Sequence, residues 1–302
     1  MGSWKGPAVT WGVAFSPDGM LIASGSGDNT ARIWTLEGRL KAALTGHGGP
    51  VYGVDFSPDG KKVATASGDG TARLWSADGG VLAKLEGHGG SVYDVSFDPL
   101  GQRVATASGD GSVKIWSAEG QLMKTLEGHG DSVLGVSFAP GGDRVVSASR
   151  DTTARIWSVD GSLVAELRGH GEPVYAAAYS ADGAMIATGS GDWSVRLWSR
   201  DGGFIRSLRG DVSSTTLDYR DEWVERFPGH TGAIRAVAFG PDGKSVVSAG
   251  EDRTVRIWST GGSLRDTLRG HHDWVEGLSI SPDGKIIVSG SFDADIRLWS
   301  IR

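Results

Sequence analysis

The chain has 302 residues with 48 glycines, 12 tryptophans and no cysteine, and its 30 Lys plus Arg face 36 Asp plus Glu for a net charge of −6. An acidic chain without clustered positive charge does not suit a nucleic acid, whose phosphates need Lys and Arg to neutralise them. No apolar run reaches the ~18 residues of a membrane span, no apolar N-terminal stretch reads as a secretory signal, and the lack of cysteine fits a reducing, cytoplasmic setting without disulfides or thiolate metal sites.

Along the chain the first signal is a repeat. Seven tryptophans follow an apolar residue and precede Ser or Thr: Trp34, Trp75, Trp116, Trp157, Trp198, Trp258 and Trp299. Five of the six gaps are 41 residues and the fifth is 60, so one 41-residue unit with a single 19-residue insertion fills the chain. A single domain is expected, with units near 8–45, 50–86, 91–127, 132–168, 173–209, 233–269 and 274–302, and an insertion near 210–228. Within a unit, Val51–Phe56 alternates before the turn Ser57-Pro58-Asp59-Gly60. Lys62–Ala66 leads to Gly68-Asp69-Gly70, Thr71–Trp75 to Asp78-Gly79, and Val81–Leu85 to Gly87-His88. Short strands between Asp-Gly turns are hairpins, because glycine supplies the positive φ such turns need. Each unit therefore reads as a four-stranded antiparallel meander, a to d, and radial packing of seven such sheets buries their faces. The fold class is all-β, a seven-bladed propeller.

Gly-His pairs at 46–47, 87–88, 128–129, 169–170, 229–230 and 270–271 accompany the Trp column. On these markers the chain resembles the WD40-repeat β-propeller family over essentially its whole length. The family's Trp-Asp is replaced throughout, since Thr35, Ser76, Ser117, Ser158, Ser199, Ser259 and Ser300 follow the tryptophans. That removes carboxylates expected near the basic column Arg32, Arg73, Lys114, Arg155, Arg196, Arg256 and Arg297.

Four polar columns keep fixed offsets: His47, Thr65, Asp69 and Trp75; His88, Thr106, Asp110 and Trp116; His129, Ser147, Asp151 and Trp157. They recur as His170, Thr188, Asp192 and Trp198; His230, Ser248, Asp252 and Trp258; and His271, Ser289, Asp293 and Trp299. The first unit has Ser24, Asp28 and Trp34, with Gly6 in the histidine position by its distance from strand a. The chemistry suits a buried relay from indole N–H to hydroxyl to imidazole to carboxylate, in which every polar group has a partner. The resemblance implies the same structural tetrad. Six copies in register argue against a catalytic Ser-His-Asp set, and His272 alone cannot build a metal site.

The seventh unit ends just after strand c. Aligning Ser3 with Leu44 leaves about Gly2–Lys5, within residues 1–7, as a partial closing strand. Closure is expected to be weak, the native strand to lie upstream, and the exposed edge of the last unit to offer a route to chain pairing in an otherwise monomeric protein. The insertion leaves two candidates for the outer strand of blade 5, Phe204–Leu208 and Trp223–Phe227. Its remainder, 211–225, carries five acids and one Arg and reads as a polar flap.

With the top taken as the end bearing the d–a and b–c loops, ten aromatic residues map there: Trp4, Trp11, Tyr52, Tyr93, Tyr175, Trp193, Tyr219, Trp223, Trp274 and Phe292. The bottom turns hold none. The slot four before the strand-a aromatic column reads Trp11, Tyr52, Tyr93, Leu134, Tyr175, Arg235, Glu276 and is expected to ring the channel mouth, with Arg235 paired to Glu276. The slot before the tetrad Asp reads Gly27, Gly68, Gly109, Arg150, Gly191, Glu251, Phe292. The family's partner-contacting positions resemble these two slots. Aromatic residues with polar handles on one face suit a hot spot for a protein or peptide partner. A small ligand or carbohydrate on the same rings is the alternative. An enzyme would need convergent titratable groups that the slots do not supply, and no phosphate loop or cofactor motif occurs.

Overall fold

The computed structural model describes residues 2–209 and 229–301. They form seven four-stranded antiparallel sheets, all-β throughout, each with strand a innermost and strand d at the rim. In blade 2 the strands are Val51–Phe56, Lys62–Ser67, Ala72–Ser76 and Val81–Leu85. Each strand a packs between the strands a of the two neighbouring blades, and the last (Val275–Ile280) packs against the first (Thr10–Phe15), which closes the ring. No helix among the described residues is long and apolar enough to cross a membrane.

Turn chemistry fixes the meander. In the a–b turn of blade 2, Ser57 Oγ donates to Asp59 Oδ1 at 2.6 Å while Gly60 takes φ 69° and bonds back to the Ser57 carbonyl at 2.8 Å. At the bottom of strand c, Ser76 Oγ accepts the Gly80 N–H at 3.0 Å, so the residue after the tryptophan caps the c–d turn. The basic column points the other way: Arg32 lies 2.9 Å from Asp28 and Arg256 3.5 Å from Asp252, at the tetrad end of the blade. Losing the Trp-Asp carboxylate therefore leaves these cations paired.

The core lies between blades. Ala64, Ala66, Ala72, Leu74 and Leu85 of blade 2 pack on Val92, Val95, Phe97, Val104 and Trp116 of blade 3, all buried. Small residues on one sheet admit the Trp of the next, and a fully buried large apolar side chain contributes about 1.5–3 kcal/mol. Near the axis the strands a approach so closely that a Cβ on Gly12 would sit 2.5 Å from the Tyr52 carbonyl oxygen, so only glycine fits. At three junctions, free N–H groups of the inner strand are held by side chains of the preceding blade. Asp55 accepts from Phe97 at 2.7 Å, Ser96 from Phe138 at 3.3 Å, Asp94 from Val136 at 2.9 Å and Ser279 from Phe15 at 3.2 Å. Sheets that would otherwise only abut are thereby stitched together.

Blade 7 takes its outer strand from the N-terminus, where Ser3–Lys5 pairs with Asp295–Arg297. Trp4 faces Ile296 as Leu44 faces Ala31, so Trp4, and not Ser3, occupies the Leu44 position. The loop from there to strand a is one residue shorter than its counterparts. No histidine has to be housed in it, and the shift puts the one large apolar side chain of the strand inward. Trp4 accordingly leaves the top face expected for it: its indole packs 6.1 Å from Trp34 and over Gly38 of the c–d turn. Phe204–Leu208 forms the outer strand of blade 5, with Leu208 buried opposite Val195. Trp223–Phe227, Tyr219 and the flap lie outside the described residues.

Candidate functional site

Six tetrads are assembled. In blade 2, Trp75 Nε1 donates to Thr65 Oγ1 at 2.8 Å, Thr65 Oγ1 lies 2.7 Å from His47 Nε2, and His47 Nδ1 lies 2.9 Å from Asp69. The chain recurs through Trp116–Thr106–His88–Asp110, Trp157–Ser147–His129–Asp151, Trp198–Thr188–His170–Asp192, Trp258–Ser248–His230–Asp252 and Trp299–Ser289–His271–Asp293. Burial pushes each imidazole pKa down against the opposing pull of its Asp, so the rings are neutral at pH 7. Burial would raise Asp69, but hydrogen bonds from Thr71, the Gly48 N–H and His47 outweigh it and hold the carboxyl well below the usual range. A neutral imidazole fixes the direction of the relay: Nδ1–H donates to the carboxylate and Nε2 accepts the hydroxyl proton. The hydroxyl-to-imidazole spacing is what a nucleophile would need. Yet the Ser and Thr hydroxyls of these six relays have no exposure, 0%, and already accept a tryptophan N–H, so no substrate reaches them. In blade 1 the relay stops at Trp34 and Ser24, 2.8 Å apart, and Asp28 turns to Thr30 and Arg32 at 2.6 and 2.9 Å.

At the top of the axis a cavity of about 400 Å³ opens, lined by Trp11, Tyr52, Tyr93, Leu134, Tyr175, Arg235 and Glu276 and by Arg150 and Asp94. Trp11, Tyr52, Tyr93, Tyr175 and Arg235 of the first slot each reach the b–c turn of their own blade. The Tyr52 ring packs on Gly68 and the Tyr93 ring on Gly109, where an added Cβ would meet each at 3.3 Å. The Trp11 indole faces Gly27. The two slots therefore complement one another: large rings stand where the partner position is glycine. The rings form one arc, with centroids 5.5 Å apart from Trp274 to Phe292, 4.8 Å from Phe292 to Trp11, 5.1 Å from Trp11 to Tyr52 and 5.4 Å from Tyr52 to Tyr93.

The other side of the mouth is ionic. Arg235 lies over the ring of Tyr175 at 4.2 Å and that of Trp274 at 5.3 Å. Its hydrogen bonds go to Glu251, with Nε to Oε1 at 3.1 Å, and it stands 3.6 Å from Glu276. The expected Arg235–Glu276 pair is thus the weaker of two, because Glu251 shares Arg235's blade and meets it within the same slot pairing. Burial pushes the Glu276 carboxyl up to about 7, with Arg235 opposing.

Two rim tryptophans are exposed: Trp274 at 39% and Trp193 at 55%. Trp193 holds φ 66° in the b–c turn where blades 2 and 3 have Gly70 and Gly111. A bulky residue in the left-handed region is strained, at roughly 1–2 kcal/mol.

Sequence reading passed over Asp55 and Asp94. Burial raises their carboxyls to about 7 and about 6 respectively, against the N–H groups they accept. The signal was there: Asp94 interrupts a column of Gly12, Gly53, Gly135, Ala176, Ala236 and Gly277. Among the described residues no group of three His, Asp or Glu side chains is arranged to hold a metal.

Radial four-stranded sheets, repeated tetrads and a lined channel mouth define a repeat propeller. The family model described as WD domain, G-beta repeat (WD40) matches residues 1–35, 38–76, 79–117, 120–158, 161–199, 222–259 and 262–300, and the chain belongs to that family. WD40 propellers are commonly protein-interaction scaffolds and generally non-catalytic. No curated protein matches the chain.

Proposed function

We propose that the protein is a non-enzymatic docking platform whose top face binds a peptide segment of a protein partner around the channel mouth. Trp193 carries this reading. A tryptophan that is 55% exposed in a left-handed turn leaves most of its surface to solvent and stores strain that glycine would not. On the same top end the exposed Trp274 and the half-buried rings of Trp11, Tyr52, Tyr93, Tyr175 and Phe292 gather at the channel mouth, where Leu134 and Arg150 also line the open cavity. Large, stiff, amphipathic side chains of this kind supply contact area at low entropic cost. Arg235, Glu251 and Glu276 complete the rim with charge.

Panning a library of displayed random peptides against the immobilised protein tests the proposal. Clones selected on the wild type are expected to lose at least tenfold in affinity on the Tyr52→Ala/Tyr93→Ala variant and on Trp193→Gly, with the circular dichroism spectrum preserved. Clones that hold both variants as tightly as wild type place docking elsewhere on the molecule.

A further inference from the structure

The mouth contains an anion whose hydrogen-bonding capacity is unfilled. The Glu276 side chain is about nine-tenths buried, with 10% of its surface exposed, and its Oε1 accepts no hydrogen bond. A desolvated carboxylate oxygen without a donor is costly and is normally met by a cation or an N–H group. Glu276 lines the cavity between Arg235 of blade 6 and Trp11 of blade 1, and the arc Trp274–Phe292–Trp11–Tyr52 passes its blade. Arg235 approaches that oxygen only to 3.6 Å, an ion pair without a hydrogen bond. Arg235 is satisfied by Glu251, which leaves Glu276 and Asp94 against the exposed Arg150 across the channel.

The ring also shows how a cation sits here. Arg235 lies against the faces of Tyr175 and Trp274 with its guanidinium on a carboxylate, an arrangement that joins cation–π attraction to a charge-assisted hydrogen bond. One blade further on, the carboxylate and the rings are present, but the cation that reaches them, Arg235, stops 3.6 Å short of Glu276 Oε1 and gives its hydrogen bonds to Glu251.

We propose that the channel mouth receives an arginine side chain of the docked peptide, its guanidinium bonded to Glu276 within the arc of Trp274, Phe292 and Trp11. This rests on the docking platform proposed above and names the chemistry of its partner. A cation would lower the carboxyl that burial now holds near 7, so uptake is linked to loss of a proton. The charged groups facing Glu276 are Arg235, Glu251 and Asp273, with Asp94 across the cavity.

The test is an NMR titration of the full chain with the capped tripeptide Ac-Ala-Arg-Ala-NH2, with its neutral citrulline isostere as control, up to about 10 mM. The arginine probe is expected to bind wild type at least tenfold more tightly than the citrulline probe. Glu276→Gln should abolish that preference, while Glu119→Gln in the bottom c–d turn leaves it intact. If Glu276→Gln does not fold, the same preference is followed on the wild type, where it should rise from pH 5 to pH 8. Equal binding of the two probes, binding of neither, a preference retained by Glu276→Gln, or one that does not change with pH would overturn the assignment. Library clones that depend on Tyr52 and Tyr93 and ignore Glu276 would leave the docking platform standing and remove only the arginine.

Discussion

Blade interiors and the channel mouth follow opposite rules. Inside the blades six tetrads repeat with the same donors and acceptors, and their hydroxyl-to-imidazole distances span only 2.7–2.8 Å. At the mouth the blades diverge: Tyr52 packs on Gly68 and Tyr93 on Gly109, whereas Leu134 and Arg150 hold the same slots in blade 4, Arg235 bonds Glu251, and Glu276 Oε1 accepts no hydrogen bond. Packing a ring asks the same of every blade, so repeated positions are explained by packing. Positions that break the repeat need another cause, and here they gather around one cavity.

The largest effect expected from breaking the comparison lies inside a blade. His129→Ala empties the buried site of the ring, takes the imidazole acceptor from the Ser147 hydroxyl, and removes one of the donors to Asp151, which keeps those of Gly130 and Thr153. A loss of about 2–4 kcal/mol is expected in chemical denaturation. Asp28→Ala in the blade without a histidine should cost about 1 kcal/mol or less, because it removes a partly exposed pair with Arg32. Equal costs would mean that the imidazole adds nothing to the relay.

At the rim the sign reverses. Trp193→Gly relieves the left-handed strain without emptying a core, so stability should rise by about 1 kcal/mol even as peptide clones are lost. A variant less stable than wild type would show that the indole packs, and the case for a contact residue would fail.

The channel wall gives a pH test. Asp55 is raised to about 7 in the folded chain and returns to an ordinary carboxyl on unfolding. The stability it contributes is therefore complete below pH ~4 and is lost as pH rises through 7. Asp55→Asn keeps an acceptor for the Phe97 N–H without the charge. The variant should melt a few degrees above wild type at pH 8 and alongside it at pH 4, the difference cancelling the tetrad histidines common to both. A constant offset at the two pH values would assign the effect to packing.

Most of the fold was legible because a 41-residue period repeats every constraint seven times, and each copy corrects the reading of the others. The tetrads were legible for the same reason, since offsets of 22 and 18 residues recur wherever a histidine is present. What escaped was aperiodic. Trp4 was counted with the top-face rings because spacing from strand a ignores a loop one residue short, and its place follows from the need to bury its indole beside Trp34. Arg235 does pair with Glu276 of the neighbouring blade as its slot implies, but the closer partner Glu251 is not visible in spacing, because it depends on the two slots meeting within one blade. Asp94 went unread because its partner, the Val136 N–H, lies one blade away.

The smallest effect tests whether ring and turn are matched in size. A Cβ on Gly68 would meet the Tyr52 ring, its hydroxyl and Pro50 at 3.3 Å, whereas a Cβ on Gly27 stands 3.7 Å from the Trp11 indole nitrogen. Neither glycine has a positive φ, so alanine brings no backbone strain and the contact alone decides. Gly27→Ala should be neutral or slightly stabilising. Gly68→Ala should cost about 0.5–1 kcal/mol and tilt Tyr52 off its stack with Tyr93. Chemical shifts of the two tyrosine rings separate the outcomes: movement in Gly68→Ala alone means that the glycines of the second slot are there to admit the aromatic arc. Identical spectra for both variants would make those glycines ordinary turn residues and the arc independent of them.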